Sequence, residues 1–300
     1  MPKVLCFGSL NIDDVFTVPH IVATGETIAS TSYNTFPGGK GAEVYHAGRI
    51  GKDGEWLADL LVSHGVNTEF VIRDATEPTG RAIIQVSSKS ADNAIVLFPG
   101  ANARVTAADA DAVLASGRFK AGDWVVLQNE VPAEAGRRML ERAKAMRLFT
   151  VLSPAPCTPT LLTTLPLSSV DILIANHGEA TTLLGGTATP NAAAAAEALL
   201  ERFPALLIAV VTAGSKGAFA ASRDDGGVTF VPALEGVKAV DTTGAGDTFV
   251  GFFVATMAHR VALWPAMEIA VAASGIACES EGAMVAVPTL EVVKARMPAE

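Results

Sequence analysis

Short β-rich apolar runs that alternate with helix-forming segments constrain this chain more than any other feature. Val4 to Phe7, Trp124 to Leu127, Leu148 to Leu152, Ile172 to Ala175 and Leu206 to Val211 each have the character of a strand covered on both faces. Between them, Gly54 to His64, Thr106 to Ser116, Ala133 to Met146 and Asn191 to Phe203 read as helices, the last rich in alanine, the best helix former. The alternation predicts an α/β fold with a doubly wound, mainly parallel sheet, in which ligands bind beyond the carboxyl ends of the strands. Two stretches break the rhythm, residues 13–36 and residues 79–98, the second containing two β-like runs around a polar turn. They read either as one small sheet projecting from the main domain as a lid or as edge hairpins packed flat. A single domain over residues 1–300 with that lid is the expected organisation.

Composition narrows the partners. Half the residues are hydrophobic, which supplies a large core and excludes a disordered chain. The net charge of -9, from 22 basic against 31 acidic residues, argues against nucleic acid and membrane surfaces as partners. Cys6, Cys157 and Cys278 lie far apart with no CxxC pair and no zinc-like spacing. The opening MPKVLCFGSL reads as an immediate strand without a secretory pattern, and no apolar run approaches the roughly 20 residues of a membrane span. A cytoplasmic location is expected.

The densest chemical signal is DTTGAGDTF at 241–249, between a strand-like VKAV and an apolar helical stretch. Glycines at 244 and 246 let backbone amides converge at the helix start, and amides plus the helix dipole suit charge on a transferring phosphoryl group. Asp247 would stand beside that site, placed to take a proton from an attacking hydroxyl. An isolated pattern of this kind is more often a tight turn and a helix cap. PGGKG at 37–41 permits close backbone approach to a polyhydroxylated ligand, or is a solvated turn. GSLNIDD at 8–14 places Asn11 and Asp13 past the first strand, where amide and carboxylate can bind sugar hydroxyls, although NxD is commonly turn chemistry. NHGE at 176–179 either organises a hydrated magnesium ion or caps a helix. TAGSKG at 212–217 either cradles a nucleotide or turns a hairpin. No P-loop, dinucleotide fingerprint or protein-kinase triplet is present, which disfavours P-loop ATPases, Rossmann oxidoreductases and protein kinases.

Taken in order, GSLNIDD, TGET at 24–27, PGGKGA at 37–42, NxxE at 176–179, TAGSKGA at 212–218 and DTTGAGDTF closely resemble the ribokinase family of carbohydrate kinases, over about residues 3–290. The resemblance implies transfer of the ATP γ-phosphoryl group to a sugar hydroxyl, with ribose the first expectation and another sugar or a nucleoside the alternative. It makes Asp247 the base and the amides of Gly244, Ala245 and Gly246 the anion hole. Asn11, Asp13, Gly38, Gly39, Lys40 and Glu130 would hold the sugar. Asn176, Thr212, Gly214 and Gly217 would line the nucleotide site, and Asn176 and Glu179 would support Mg2+. Asp241 and Thr243 match a monovalent-cation site, usually for K+, and a lid-mediated homodimer is implied as well.

Two departures stand out. The serine that helps ligate the cation is matched here by Ala286. After PGGKGA the family continues with a sugar-binding asparagine and a helix of about three turns, whereas Glu43 follows at once here, so a helix is missing after residue 42. That loss predicts a broken parallel connection, strand surface left to water, and an impaired or non-catalytic binding variant as the rival function.

Overall fold

The computed structural model describes residues 1–38, 44–89, 93–224 and 226–298. Its strands are β1 (Val4–Phe7), β2 (Asn11–Val18), β3 (Ser32–Gly38), β4 (Val44–Gly51), β5 (Asn67–Asp74), β6 (Gly80–Ser87), β7 (Asn93–Phe98), β8 (Trp124–Leu127), β9 (Phe149–Leu152), β10 (Ile172–Asn176), β11 (Ile208–Thr212), β12 (Ala218–Ser222) and β13 (Val228–Val231). The helices are α1 (Glu55–Ser63), α2 (Ala107–Ala115), α3 (Ala133–Ala145), α4 (Leu161–Thr164), α5 (His177–Leu183), α6 (Ala192–Arg202), α7 (Ala245–Ala258), α8 (Leu263–Ala277) and α9 (Leu290–Arg296).

One sheet runs in the order β13-β12-β11-β10-β9-β8-β1-β4-β5. Pairing from β11 through to β5 is parallel, and only β12 runs against its neighbours. Period-two alternation sorts each central strand between two cores. Leu5 and Phe7 of β1 join α2, α3, α5 and α6 on one face. Val4 and Cys6 join α1, α7 and α8 on the other. Full burial of a side chain such as Leu5 or Phe7 contributes about 1.5–3 kcal/mol, so these cores, and not local propensity, hold the short strands in place.

The irregular stretches form a separate sheet, ordered β3-β2-β6-β7, with its own small core of Val15, Ala82 and Ile84. The two stretches thus pair with each other as one lid sheet and not as edge hairpins of the main sheet. Strand β3 belongs to the lid and β4 to the main sheet, where Val4 of β1 lies opposite Val44 in parallel register. The join over residues 39–43 therefore steps between two sheets, and no parallel connection is broken. Val44, His46 and Ile50, on one face of β4, are buried, whereas β5 beside it buries Val71 and leaves Ile72 exposed. The His46 ring is fully buried with no well-formed hydrogen bond among the described residues, and the Gly8 backbone beside it offsets the desolvation only in part.

Candidate functional site

The carboxyl ends of β1 and β8, adjacent parallel strands, bring Ser9, Asn11, Asp13, Gln128 and Glu130 around one cavity of about 240 Å3. The amino end of α7 closes it with Thr242, Thr243, Gly244 and Asp247. The lid supplies Ala82, Ile84, Ile95 and Leu97. A polar floor under an apolar roof suits a ligand with hydroxyls on its rim and C–H bonds on its faces.

The floor is ordered by hydrogen bonds. Ser9 Oγ donates to Glu130 Oε2 at 2.5 Å, and Asn11 Nδ2 donates to the same oxygen at 3.0 Å. Burial, with the charges of Asp247, Glu130, Asp14 and Asp241 behind it in that order, pushes the Asp13 carboxyl up to about 7. At neutral pH Asp13 is therefore protonated in a substantial fraction of molecules, and its carboxyl can donate as well as accept.

A second cavity, about 450 Å3, lies behind the same helix end. Thr212, Gly214 and Gly217 come from the β11–β12 connection, Leu234, Gly236 and Val237 from the loop before α7, and Val271, Gly275 and Cys278 from α8. Ala245 and Gly246 line this cavity, whereas Gly244 and Asp247 line the first. Gly244 takes φ 75, and a Cβ there would lie 2.9 Å from Cα of Ala283, so only glycine lets the chain enter α7 at this angle. No side chain caps α7, and of its leading amides that of Ala245 donates to the Thr242 carbonyl at 3.2 Å, so this helix end lies between two cavities with part of its amide set already engaged.

Other expected site residues are distributed as follows. Gly38 ends β3 opposite Asn11, while Gly39 and Lys40 lie outside the described residues. Asn176 lies opposite Thr212 in register, one strand from the larger cavity. Asn176 and Glu179 form a reciprocal capping box at α5, Oδ1 accepting from the Glu179 amide at 2.9 Å and Oε2 from the Asn176 amide at 2.8 Å, and neither lines either of these two cavities. Asp241 is buried, accepting from the amides of Thr243 and Gly282 at 2.9 Å each. Thr243 Oγ1 is buried without a partner among the described residues.

Sequence reasoning missed Ser9, Gln128 and the lid residues, although position just past a strand's carboxyl end marks the first two and period-two alternation the last. It had no signal for Leu234, Val237 or Val271, which only tertiary packing brings to the larger cavity.

The family model for pfkB family carbohydrate kinases matches residues 1–290. The chain belongs to the pfkB family of carbohydrate kinases. Among curated relatives of this carbohydrate kinase, the ribokinase of Staphylococcus aureus (strain COL) is 32% identical over 309 residues, covering 97% of this chain and 98% of that protein. That alignment is longer than the share of this 300-residue kinase within it, so part of the relative has no counterpart here. Among solved structures, ribokinase from Cryptococcus neoformans var. grubii serotype A in complex with ADP superposes with a TM-score of 0.87 at 34% identity, covering 99% of this chain and 100% of that one. Arabidopsis thaliana ribokinase complexed with ribose and ATP gives 0.82 at 26% identity, covering 98% of each.

Two titrations of opposite sign follow from the geometry of this kinase. Burial holds the His46 ring down at about 4, from 6.5, so stability present above pH 6.5 is lost as the pH falls towards 4, by roughly 3 kcal/mol in all. Asp13 is raised from 3.8 to about 7, so its contribution is present below 3.8 and lost as the pH rises through 7. In denaturant titrations the gain from His46→Leu is expected to grow as the pH falls from 6.5 to 4, and the gain from Asp13→Asn to grow as the pH rises from 3.8 to 7. Gains that do not vary with pH would contradict both assignments.

Proposed function

We propose that this carbohydrate kinase transfers the γ-phosphoryl group of ATP to a hydroxyl of ribose. One observation carries the reading: the amino end of α7 is the common wall of two cavities, one polar-floored and sugar-sized, the other apolar and larger. Asn11, Asp13 and Glu130, with Gly38, Gly39 and Lys40 from the neighbouring segment, hold the sugar. Thr212, Gly214 and Gly217 hold the nucleotide, with Asn176 behind them. Asp247 takes the proton of the attacking hydroxyl as its oxygen bonds to phosphorus and the bond to the ADP oxygen breaks. The amides of Gly244 and Gly246 stabilise the charge on the transferring group, and that of Ala245 joins them on leaving the Thr242 carbonyl.

Mg2+ is proposed to enter with the ATP phosphates. The Asn176–Glu179 capping box engages one oxygen of each side chain, and the other Glu179 oxygen supports the ion's water shell. For K+, the buried carboxylate of Asp241 and the partnerless Thr243 Oγ1 fit one side of a cation site, while Ala286, buried in the 3-10 turn Met284–Ala286, offers no side-chain oxygen. We expect only weak stimulation, about threefold or less, when K+ replaces a large organic cation in the assay. A strong saturable requirement would show that backbone carbonyls complete the site.

Outward-facing Ile83, Val96 and Phe98 on the lid are exposed, with Ile83 opposite Val96 in register, and support a homodimer through this face, which sedimentation reads directly. Cys6, Cys157 and Cys278 form no disulfide among the described residues, in keeping with a cytoplasmic location. Among the described residues no helix is long and apolar enough to cross a membrane.

The substrate is tested by ADP release in the presence of pentoses, hexoses and nucleosides. Ribose is expected to give the highest kcat/KM; a nucleoside or hexose well above ribose would move the assignment within the family.

A further inference from the structure

Asn102 lies outside both cavities and was marked by no motif, yet the hydrogen-bond directions at the cavity floor run through it. It is 1% exposed, in the 3-10 turn Gly100–Arg104 that follows lid strand β7. Its Oδ1 accepts from the Leu10 amide at 3.0 Å, and its Nδ2 donates to the Leu10 carbonyl at 3.1 Å and to Asn11 Oδ1 at 2.8 Å. A main-chain N–H only donates and a carbonyl only accepts, so Leu10 dictates which end of the Asn102 amide is oxygen. That choice passes to Asn11. Its oxygen must face Asn102, so its Nδ2 must face Glu130, where it bonds at 3.0 Å. A flipped Asn11 would set two amide groups together as donors and turn its oxygen onto a carboxylate.

Gly80 makes room for the pair: a Cβ there would lie 2.2 Å from Asn102 Nδ2 and 2.5 Å from Asn11 Oδ1. Asn11 opens β2, Gly80 opens β6, and Asn102 follows β7, so three junctions between lid and main domain meet at one side chain.

We infer that Asn102 is a positioning residue, which fixes the Asn11 amide with its donor toward Glu130 and the cavity and ties the lid's base to the floor beneath it. The ligand half of this inference rests on the sugar-kinase reading; the positioning half does not. Asn102→Asp keeps the shape and the bond from the Leu10 amide but replaces the donor that faces Asn11 with an acceptor. Asn102→Ala removes the side chain.

Each variant is made alone and together with Asn11→Ala, and KM values for ribose and ATP are measured beside hydrogen exchange of the unliganded protein. Either substitution is expected to raise the ribose KM about 10- to 100-fold and leave the ATP KM within about twofold. In the Asn11→Ala background the added effect should disappear. Exchange should quicken in peptides spanning residues 9–14 and 78–84 and stay unchanged in α7. An unchanged ribose KM, an effect that adds fully to Asn11→Ala, or exchange that quickens equally in α7 would overturn the assignment. If Asn102→Ala does not fold, Asn102→Asp carries the comparison. If wild-type protein phosphorylates no sugar, the functional reading fails, while local exchange still decides the role of Asn102: quickened at the lid junctions it stands, unchanged it falls.

Discussion

Asp247→Asn is expected to lower phosphoryl transfer by about 10²- to 10⁴-fold while leaving ATP affinity within about twofold. The amide is nearly isosteric and keeps α7 in place, but it cannot take the hydroxyl proton. Asp247 lines the smaller cavity, and Ala245 and Gly246 line the larger, so the substitution removes the base without touching the nucleotide's walls. Calorimetry with ATP and a coupled assay with ribose separate the two effects. Transfer near the wild-type rate would remove Asp247 from the role of base. A matching loss of ATP affinity would show that the two cavities are not independent at this residue.

Insertion of a helix of about three turns after Ala42 is expected to tighten ribose binding at least tenfold and raise the melting temperature. As it stands the chain passes from Gly38 of the lid to Val44 of the main sheet through residues 39–43, without the helix and asparagine that the family resemblance implies. Two residues beyond Val44, β4 buries the ring of His46. ATP binding should be equal in the two forms, since the larger cavity is lined only by residues from Thr212 to Cys278. The comparison is made by calorimetry on both forms with each ligand. Tight ribose binding by the 300-residue chain, with no gain on insertion, would show that the join is complete as written.

Much of the fold was legible because it depends on local pattern. Buried parallel strands are short apolar runs, and β1 and β8 begin and end where the composition placed them. For β9, Leu148 packs in the core but lies outside the strand, which begins at Phe149. The lid was legible as two β stretches, but that they join one sheet depends on the pairing of β2 with β6, a contact between distant segments that no local signal encodes.

The candidate site was legible where a polar residue sits just past a buried strand, as Asn11 and Asp13 do after β1, whereas Glu130 came from the family resemblance alone; VKAV at 237–240, ahead of the turn at 244–247, reads as a strand but lies in the irregular segment between β13 and α7. NHGE could be read two ways because a helix cap and a metal-supporting pair use the same residues at the same spacing; the cap is formed here, with one Glu179 oxygen outside it. Asn102 was invisible. Its work is done through three hydrogen bonds to residues about 90 positions away, and its sequence context, GAN in a short 3-10 turn, has no periodicity to read.

Phosphorus NMR of the 300-residue chain with ATP, Mg2+ and ribose, run beside Asp247→Asn, tests the account most directly. The expected spectrum shows ADP and one new phosphate-monoester resonance growing together in the wild type, and neither in the variant. ADP with inorganic phosphate alone, or a monoester that grows at the same rate in Asp247→Asn, would contradict it.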